Sequence, residues 1–229
     1  AHDAQKTLAD LRDHLARHDK PIAFFFGAGT SCAVRVPLPG NGDKTQPLIP
    51  AVAGLTKIAE KDAEDLGDKY SKAWSAIDTH CKDNKQDANV ENILSRLRMM
   101  LAAVGKSDTL SGLRKDEIEK LEECVRKTIA RVVTPDLTDI PSNFPHRKFA
   151  QWLVKTSRQN PIEIFTVNYD VLIEHGLEAE RIPLFDGFVG SFWPFFHPDS
   201  LRRSEAAPGA SWTRLWKMHG SVTWRRVDQ

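Results

Sequence analysis

The chain has 229 residues, enough for one substantial hydrophobic core, or for one core with a helical side lobe. Its 32 Lys and Arg residues nearly balance its 31 Asp and Glu residues, which argues against direct nucleic-acid binding, because that function requires a basic face. No apolar run is long enough to cross a bilayer and no signal peptide opens the sequence, so we expect a cytoplasmic protein that does not bind membranes.

Cysteine is scarce. Cys32, Cys81 and Cys124 lie far apart, and the sequence contains no C-x-x-C pair. A zinc ribbon and a disulfide framework are therefore both excluded, since each requires paired cysteines at short spacing. We predict that the protein holds no metal ion.

The N-terminal part of the chain reads as a helix followed by a strand. Apolar residues recur at helical spacing over residues 3–18, and "PIAFFF" at 21–26 has the continuous apolar character of a buried parallel strand. The glycine turn Gly27–Gly29 follows this strand. The next segment, 34–47, is rich in Pro and Gly and is predicted to be a loop.

The middle of the chain is helical in pattern. Between about residues 48 and 158, apolar side chains fall on single faces of successive segments, as in Val90, Ile93, Leu97 and Leu101. We predict a large helical insertion lobe over this range.

Strand signals return late in the chain. They occur at 161–168, 181–187 and 213–224, and a helical pattern follows the first of them. Strands that alternate with helices favour a parallel sheet. We therefore predict an α/β fold, a Rossmann-like parallel sheet in a single domain over residues 1–229, with the helical insertion at 48–158.

The glycine turn excludes several familiar phosphate-binding motifs. A dinucleotide-binding dehydrogenase would have a third glycine where Cys32 stands, and an acidic residue within the acid-free stretch 44–59. The "GKS" at 105–107 lacks the first glycine of a P-loop, and no G-x-S-x-G elbow occurs. Two interpretations of the turn stay open, namely a ligand-binding site and an ordinary strand-to-helix connection.

Three motifs in order carry a family resemblance. They are "GAGTS" at 27–31, "FTVNYD" at 165–170 and "KMHGS" at 217–221. A GAGxS turn, a T-x-N-x-D strand end and a K-x-HG strand end resemble the sirtuin superfamily. The chain is more similar to the bacterial sirtuin-like domains of phage-defence systems than to deacylating sirtuins. The resemblance implies that NAD is the substrate.

The resemblance also assigns roles to residues. It implies that Asn168 holds the ribose and the attacking water, that His219 is the base, and that Asp170 contacts the nicotinamide carboxamide. A neutral imidazole with a pKa near ~6.5 suits the base. Each residue also has a structural alternative. Asn168 is then a turn residue at a strand end, His219 a buried structural histidine, and Asp170 an acid at the start of a helix. The remaining NAD-binding residues implied by the resemblance are Gly27, Ala28, Gly29, Thr30 and Ser31.

The chain departs from the deacylating sirtuins in three ways. It lacks their four zinc cysteines, Val167 replaces a glutamine, and "VPLPG" at 36–40 lacks their acid and arginine. Sirtuins also continue well beyond the HG motif to close the adenosine side of the site. We therefore expect the domain to be incomplete at its C-terminus.

Three functions from different classes remain. The resemblance favours an NAD glycohydrolase, the effector of an antiphage defence system that depletes NAD. The alternatives are an NAD-dependent protein deacylase and a nucleotide-binding module without turnover. The resemblance further implies a homo-oligomer and a partner protein or fused module, such as an ATPase, an Argonaute-like protein or a nucleotide sensor.

Overall fold

A computed structural model describes residues 3–225, with residues 41 and 42 described by their backbone alone. The chain divides into two compact units. The sheet unit combines two separate stretches, Ala1–Arg35 and Pro141–Gln229, whereas the helical unit is the continuous stretch Val36–Ile140. No helix within residues 3–225 is both long and apolar enough to cross a membrane.

The elements are numbered in chain order. The helices are α1 (Ala4–Ala16), α2 (Ala28–Cys32), α3 (Val52–Asp65), α4 (Asp68–Asp83), α5 (Val90–Ala103), α6 (Lys115–Val132), α7 (Pro145–Val154) and α8 (Leu172–Ala179). The strands are β1 (Ile22–Phe26), β2 (Arg35–Leu38), β3 (Asn41–Pro47), β4 (Ile162–Thr166), β5 (Leu184–Phe185), β6 (Phe188–Val189), β7 (Phe195–Phe196) and β8 (Thr213–Lys217). Short 3-10 helices occupy Leu137–Asp139, Pro198–Leu201 and Ser204–Ala206.

The sheet unit is built on a four-stranded sheet with the order β1-β4-β8-β5. The three neighbouring pairs in this order are all parallel. Phe26 pairs with Thr166, and Thr166 pairs with Lys217, so β1, β4 and β8 end at the same level. The fold is the predicted Rossmann-like α/β arrangement, and the carboxyl ends of its three longer strands meet at one edge.

One face of this sheet carries the core of the unit. Alternate residues of β4 and β8 point to this face, where α7 and α8 cover them. The helices approach closely at Gly176, because a Cβ there would lie 2.8 Å from the carbonyl carbon of His146. The core cluster contains Ala150, Leu153, Ile162, Ile164, Ile173, Leu177 and Leu215.

The prediction that β1 is a buried strand is only half right. Phe24 and Phe26 pack against the core cluster, whereas Phe25 points the other way and is 68% exposed. β1 lies at an edge of the sheet, and its second face is not covered by described residues. The continuous apolar run at 21–26 therefore predicts the strand correctly, but it does not show that both faces of the strand are buried.

The helical unit has a core of its own. α6 packs against α3 and α5, and the buried side chains of its inner face include Ile118, Leu121 and Val125. The Asp62 carboxylate of α3 accepts hydrogen bonds from Thr128 Oγ1 at 2.5 Å and from an Arg131 guanidinium nitrogen at 2.7 Å. These bonds fix α3 against α6.

Two local expectations differ from the structure. The segment predicted as a loop at 34–47 contains β2 and β3, joined through Pro39 and Gly40 with Gly40 at a φ of 76°. Pro and Gly here make a hairpin turn rather than breaking the strands. The predicted insertion 48–158 also included α7, which belongs to the sheet unit, because its apolar face contacts the sheet.

Candidate functional site at the edge of the parallel sheet

The three sequence motifs converge at the carboxyl edge of the sheet. The Val167 backbone nitrogen donates a hydrogen bond to the Phe26 carbonyl at 3.3 Å, and the Met218 nitrogen donates to the Thr166 carbonyl at 2.8 Å. The ends of β1, β4 and β8 are therefore bonded to one another just where each motif begins. Ligands of open α/β sheets bind at this edge.

The glycine turn forms a short helix. Gly27 has extended backbone angles and serves as the N-cap of α2, which contains Ala28, Gly29, Thr30 and Ser31. Ala28 and Gly29 are exposed, whereas Ser31 is buried. The first backbone N–H groups of a helix have no partner within it, so α2 presents them at the sheet edge.

Asn168 holds this turn in place. Its side-chain nitrogen donates to the Gly27 carbonyl at 3.0 Å, to Thr30 Oγ1 at 3.1 Å and to Ser31 Oγ at 2.8 Å. The Gly27 carbonyl can only accept a hydrogen bond, which fixes the nitrogen of the Asn168 amide on this side. Asn168 is itself 7% exposed, so it is a buried structural residue as well as a candidate site residue.

The hydrogen-bond network continues from Ser31 to Asp170. Ser31 Oγ donates to one carboxylate oxygen of Asp170 at 2.6 Å, and the other oxygen accepts from the Leu172 nitrogen at 3.0 Å. Asp170 thus bonds the first residue of α8 from just before the helix, whose N-cap is Val171, and this position at a helix start is the structural alternative that the sequence left open. Its contact with a nicotinamide carboxamide stays a prediction.

Lys217 and Glu174 complete the network and were missed as site residues. The buried Lys217 ammonium donates to the Asp170 carbonyl and to the Glu174 carboxylate, the latter at 2.8 Å. Burial raises the pKa of Glu174 above its usual value, although the Lys217 charge opposes this shift. The sequence did contain a signal for this pair, namely the lysine of the K-x-HG motif. A lysine at the end of a buried strand requires a partner of opposite charge.

His219 lies on the exposed side of the same edge. Its ring centroid is 6.1 Å from that of Tyr169, the residue next to Asn168. The chain turns sharply beyond His219, since the Gly220 nitrogen donates to the Lys217 carbonyl at 3.1 Å and Gly220 has a φ of 92°. The structure thus brings the Gly27–Asp170 network and His219 to one edge, with His219 outside the network.

The two glycines of the turn border open space. A Cβ built on Gly27 or Gly29 would meet no atom within 4 Å, and neither residue has a positive φ. Packing and backbone strain therefore do not require glycine at either position. The absence of side chains leaves the backbone of this turn accessible from the open space.

The hydroxyls of Thr30 and Ser31 bond within the protein. Thr30 Oγ1 donates to the Gly27 carbonyl at 2.8 Å, and Ser31 donates to Asp170. Their predicted contacts with phosphates stay predictions, and the exposed backbone amides of α2 offer a second set of donors. Among residues 3–225, no group of three or more His, Cys, Asp and Glu side chains could hold a metal ion.

Comparison with known families supports the resemblance. The family model described as SIR2-like domain matches residues 162–228, which include β4, Asn168, Asp170 and His219. Residues 162–228 are therefore sirtuin-like. The comparison with curated proteins gave no match. The sirtuin-like match begins at β4, so the glycine turn joins the site through its hydrogen bonds with Asn168.

Proposed function

We propose that this protein is an NAD glycohydrolase, which cleaves the nicotinamide–ribose bond of NAD to give nicotinamide and ADP-ribose. One observation carries the proposal. Asn168 fixes a glycine turn bordered by open space at the sheet edge where His219 lies, in the turn that follows β8. The SIR2-like match supports an NAD-related function for this edge.

The side chains suit distinct tasks in this reaction. The Asn168 nitrogen is committed to three protein oxygens, so its carbonyl oxygen is the group that can orient a ribose hydroxyl or a water. The bare backbone at Gly27 and Gly29 gives a pyrophosphate access to the amides of α2. Both tasks position the substrate and leave it chemically unchanged.

His219 suits the proton transfer. Nicotinamide leaves as a neutral base from a cationic pyridinium ring, and no strong general acid is required. The C1′–N bond breaks, a water oxygen bonds to the ribose carbon, and the surplus water proton passes to the imidazole. A positioned general base accelerates such steps by about 10²–10⁴-fold.

The wider biological setting is part of the proposal. By the family resemblance, we propose that the protein acts as an antiphage effector that depletes NAD, works as a homo-oligomer, and associates with a partner protein or fused module. An ATPase, an Argonaute-like protein and a nucleotide sensor are the candidate classes. Co-purification from phage-infected cells, followed by NAD measurement, tests this setting.

Two substitutions in the full protein test the catalytic assignment. His219→Ala removes the proposed base, and Asn168→Ala removes the group that orients ribose and water. Each is expected to lower the rate of NAD hydrolysis by about 10²-fold or more. Because both residues serve one step, the double variant should lose much less than the product of the single losses.

Matched controls separate catalysis from folding. His14→Ala removes an exposed histidine of α1, and Asn160→Ala removes an amide that donates to the Asp19 carbonyl at 3.1 Å. Both should hydrolyse NAD at the parental rate. A folded His219→Ala protein with parental activity contradicts the proposal. NAD binding without turnover in the parent would favour the nucleotide-binding module, and peptide-dependent formation of acetylated ADP-ribose would favour the deacylase.

A further inference from the structure

A second cleft lies beside the sheet, on the face opposite α7 and α8. Its volume is about 770 Å³, within the range of small-molecule sites. The β4 and β8 residues that line it, including Phe165 and Trp216, alternate along the strands with the core residues of the other face. None of the residues that bond the glycine turn to Asp170 lines this cleft.

The aromatic lining is held in place by contacts among its own rings. Phe188 lies with its ring centroid 5.6 Å from Phe196 and 5.0 Å from Trp224. Gly187 makes room for this cluster, because a Cβ there would lie 2.6 Å from Phe196 Cε2 and 3.5 Å from Trp216 Cζ3. The hairpin β6–β7 thus presents a formed aromatic wall.

The charged groups of the floor are paired within the protein, although the buried Arg214 Nε has no hydrogen-bond partner among the described residues. The Glu163 carboxylate accepts hydrogen bonds from the Arg214 guanidinium at 3.2 Å and from the Trp216 indole nitrogen at 3.0 Å. Lys217, at one end of the cleft, is bonded to Glu174. These groups therefore contribute no free charge towards a ligand.

Two arginines at the rim of the cleft, unlike the charged groups of its floor, have no ion-pair partner among the described residues. Arg202 and Arg203 line the cleft and are exposed, and neither makes an ion pair with any residue in the range 3–225. Besides Glu163, the acidic residue that lines the cleft is Asp186, which accepts a hydrogen bond from the Phe188 nitrogen. Asp199 and Glu205 flank the two arginines in the chain but are not among the lining residues. Among the charged lining residues that are not in an ion pair, two are arginines and one is a carboxylate, and they lie beside an aromatic floor.

We propose that this cleft binds a nucleoside monophosphate, with its base against Trp216 and Phe165 and its phosphate at Arg202 and Arg203. Aromatic rings favour offset or edge contacts with a flat base, and guanidinium groups bind phosphate in a bidentate manner. The cleft reaches Lys217 and Met218 beside the proposed NAD edge, but Asn168, His219 and the glycine turn do not line it, so it offers a second nucleotide a place of its own.

Binding of AMP to the full protein tests this assignment. Isothermal titration calorimetry should detect AMP binding, and the fluorescence of Trp216 and Trp224 should change with it. Adenosine lacks the phosphate and ribose 5-phosphate lacks the base, so each should bind at least about 10-fold more weakly than AMP. Equal binding of ribose 5-phosphate and AMP would reduce the cleft to an anion site and overturn the proposal.

Arginine variants locate the site. Arg202→Ala/Arg203→Ala should weaken AMP binding by about 10-fold or more, and the charge-preserving double lysine variant should fall between this and the parent. The matched control Arg12→Ala/Arg17→Ala removes two exposed arginines outside the cleft and should bind like the parent. Unchanged affinity in both arginine-to-alanine pairs, or no AMP binding by the parent, overturns the proposal.

A third variant separates this cleft from the NAD site. Asn168→Ala should keep parental AMP affinity, because Asn168 does not line the cleft. Loss of AMP binding in Asn168→Ala, with no effect of the rim arginines, would place AMP at the sheet edge and overturn the cleft assignment. The expected AMP affinities do not depend on whether the protein hydrolyses NAD. Failure of the NAD glycohydrolase proposal would therefore leave the cleft proposal standing, and the reverse also holds.

Discussion

His146 is a titratable residue in an environment that disfavours its charged form. It is 5% exposed, and both ring nitrogens are buried without a hydrogen-bond partner. Burial lowers the pKa of His146 below 6.5, although the nearby Asp170 charge opposes the shift. The folded protein therefore holds this ring neutral, whereas the unfolded chain protonates it readily near its ordinary pKa.

This residue should make stability depend on pH. The stability linked to His146 is complete above about pH 6.5, and it is lost as the pH falls towards the lowered pKa of the folded state, by at most about 1.4 kcal/mol per pH unit. His146→Leu should remove this part of the slope. Urea unfolding of both proteins at pH 7.5 and 5.5 measures it, and identical slopes would contradict the prediction.

A side chain at Gly29 should leave the stability of the fold intact but weaken NAD binding. Gly29→Ala adds a methyl group in open space within α2, so it should leave the free energy of unfolding unchanged or raise it by up to about 1 kcal/mol. The same methyl group should weaken NAD binding at least about 10-fold by occupying the space of the ligand. Melting temperature and NAD affinity together check this.

The matched control for this change is Gly209→Ala. Gly209 also borders open space, but it lies outside both the sheet edge and the aromatic cleft. It should keep parental NAD affinity. If Gly29→Ala binds NAD as tightly as Gly209→Ala does, the open space beside the turn is not the ligand site.

Among the elements, α7 and α8 are joined where glycine allows close approach. A Cβ at Gly176 would lie 3.0 Å from the Arg147 nitrogen and from His146 Cβ. Gly176→Ala must therefore push the helices apart, and we expect a loss of about 1–3 kcal/mol in unfolding free energy. Chemical denaturation measures the loss. Gly29→Ala serves as the helical glycine control without such contacts, and equal stability of the two variants would contradict the packing argument.

Lys217 connects β8 to α8 and to the loop after β4. Lys217→Met leaves the Glu174 carboxylate buried without its cation, which should cost about 3–5 kcal/mol near neutral pH. The penalty should shrink as the pH falls, since burial already raises the pKa of Glu174 and a protonated carboxyl needs no cation.

A second substitution tests whether the loss arises from that carboxylate. Lys217→Met/Glu174→Gln should recover most of the stability at pH 7.5, while Glu178→Gln on the exposed side of α8 should recover none. Unfolding free energies at pH 7.5 and 5.5 measure both effects. A pH-independent loss that Glu174→Gln does not reduce would assign the destabilisation to lost packing of the lysine stem.

At the scale of the whole molecule, the two units differ in continuity. The helical unit is one stretch, Val36–Ile140, with buried residues on each of its four longer helices. Expressed alone, this stretch should fold into a helical structure that melts cooperatively, because its core is complete in itself. Circular dichroism during heating checks this.

A matched pair of leucines tests the independence of that core. In the isolated stretch, Leu121→Ala removes a fully buried side chain and should cost about 2–5 kcal/mol, whereas Leu137→Ala removes one that is 65% exposed and should have little effect. A non-cooperative melt of the parent stretch, or equal effects of both substitutions, would show that the unit depends on the rest of the chain.

The sequence by itself determined the parallel α/β fold and the order of the site motifs. Apolar periodicity and strand-end polar residues are local properties, so they identified β1, β4 and β8 and the residues that follow them. The family resemblance then gave Asn168 and His219 their expected roles, which the structure leaves as predictions while bringing both to the predicted edge of the sheet.

Tertiary structure decided how each side chain is used. Ser31 accepts a hydrogen bond from Asn168 and donates one to Asp170, which lie 137 and 139 residues further along the chain, and no local pattern reports such pairing. The exposure of Phe25 depends on the face of β1 to which it points, and the place of α7 depends on the face it packs against. These features are set by which surfaces meet after folding, and that depends on contacts between distant parts of the chain.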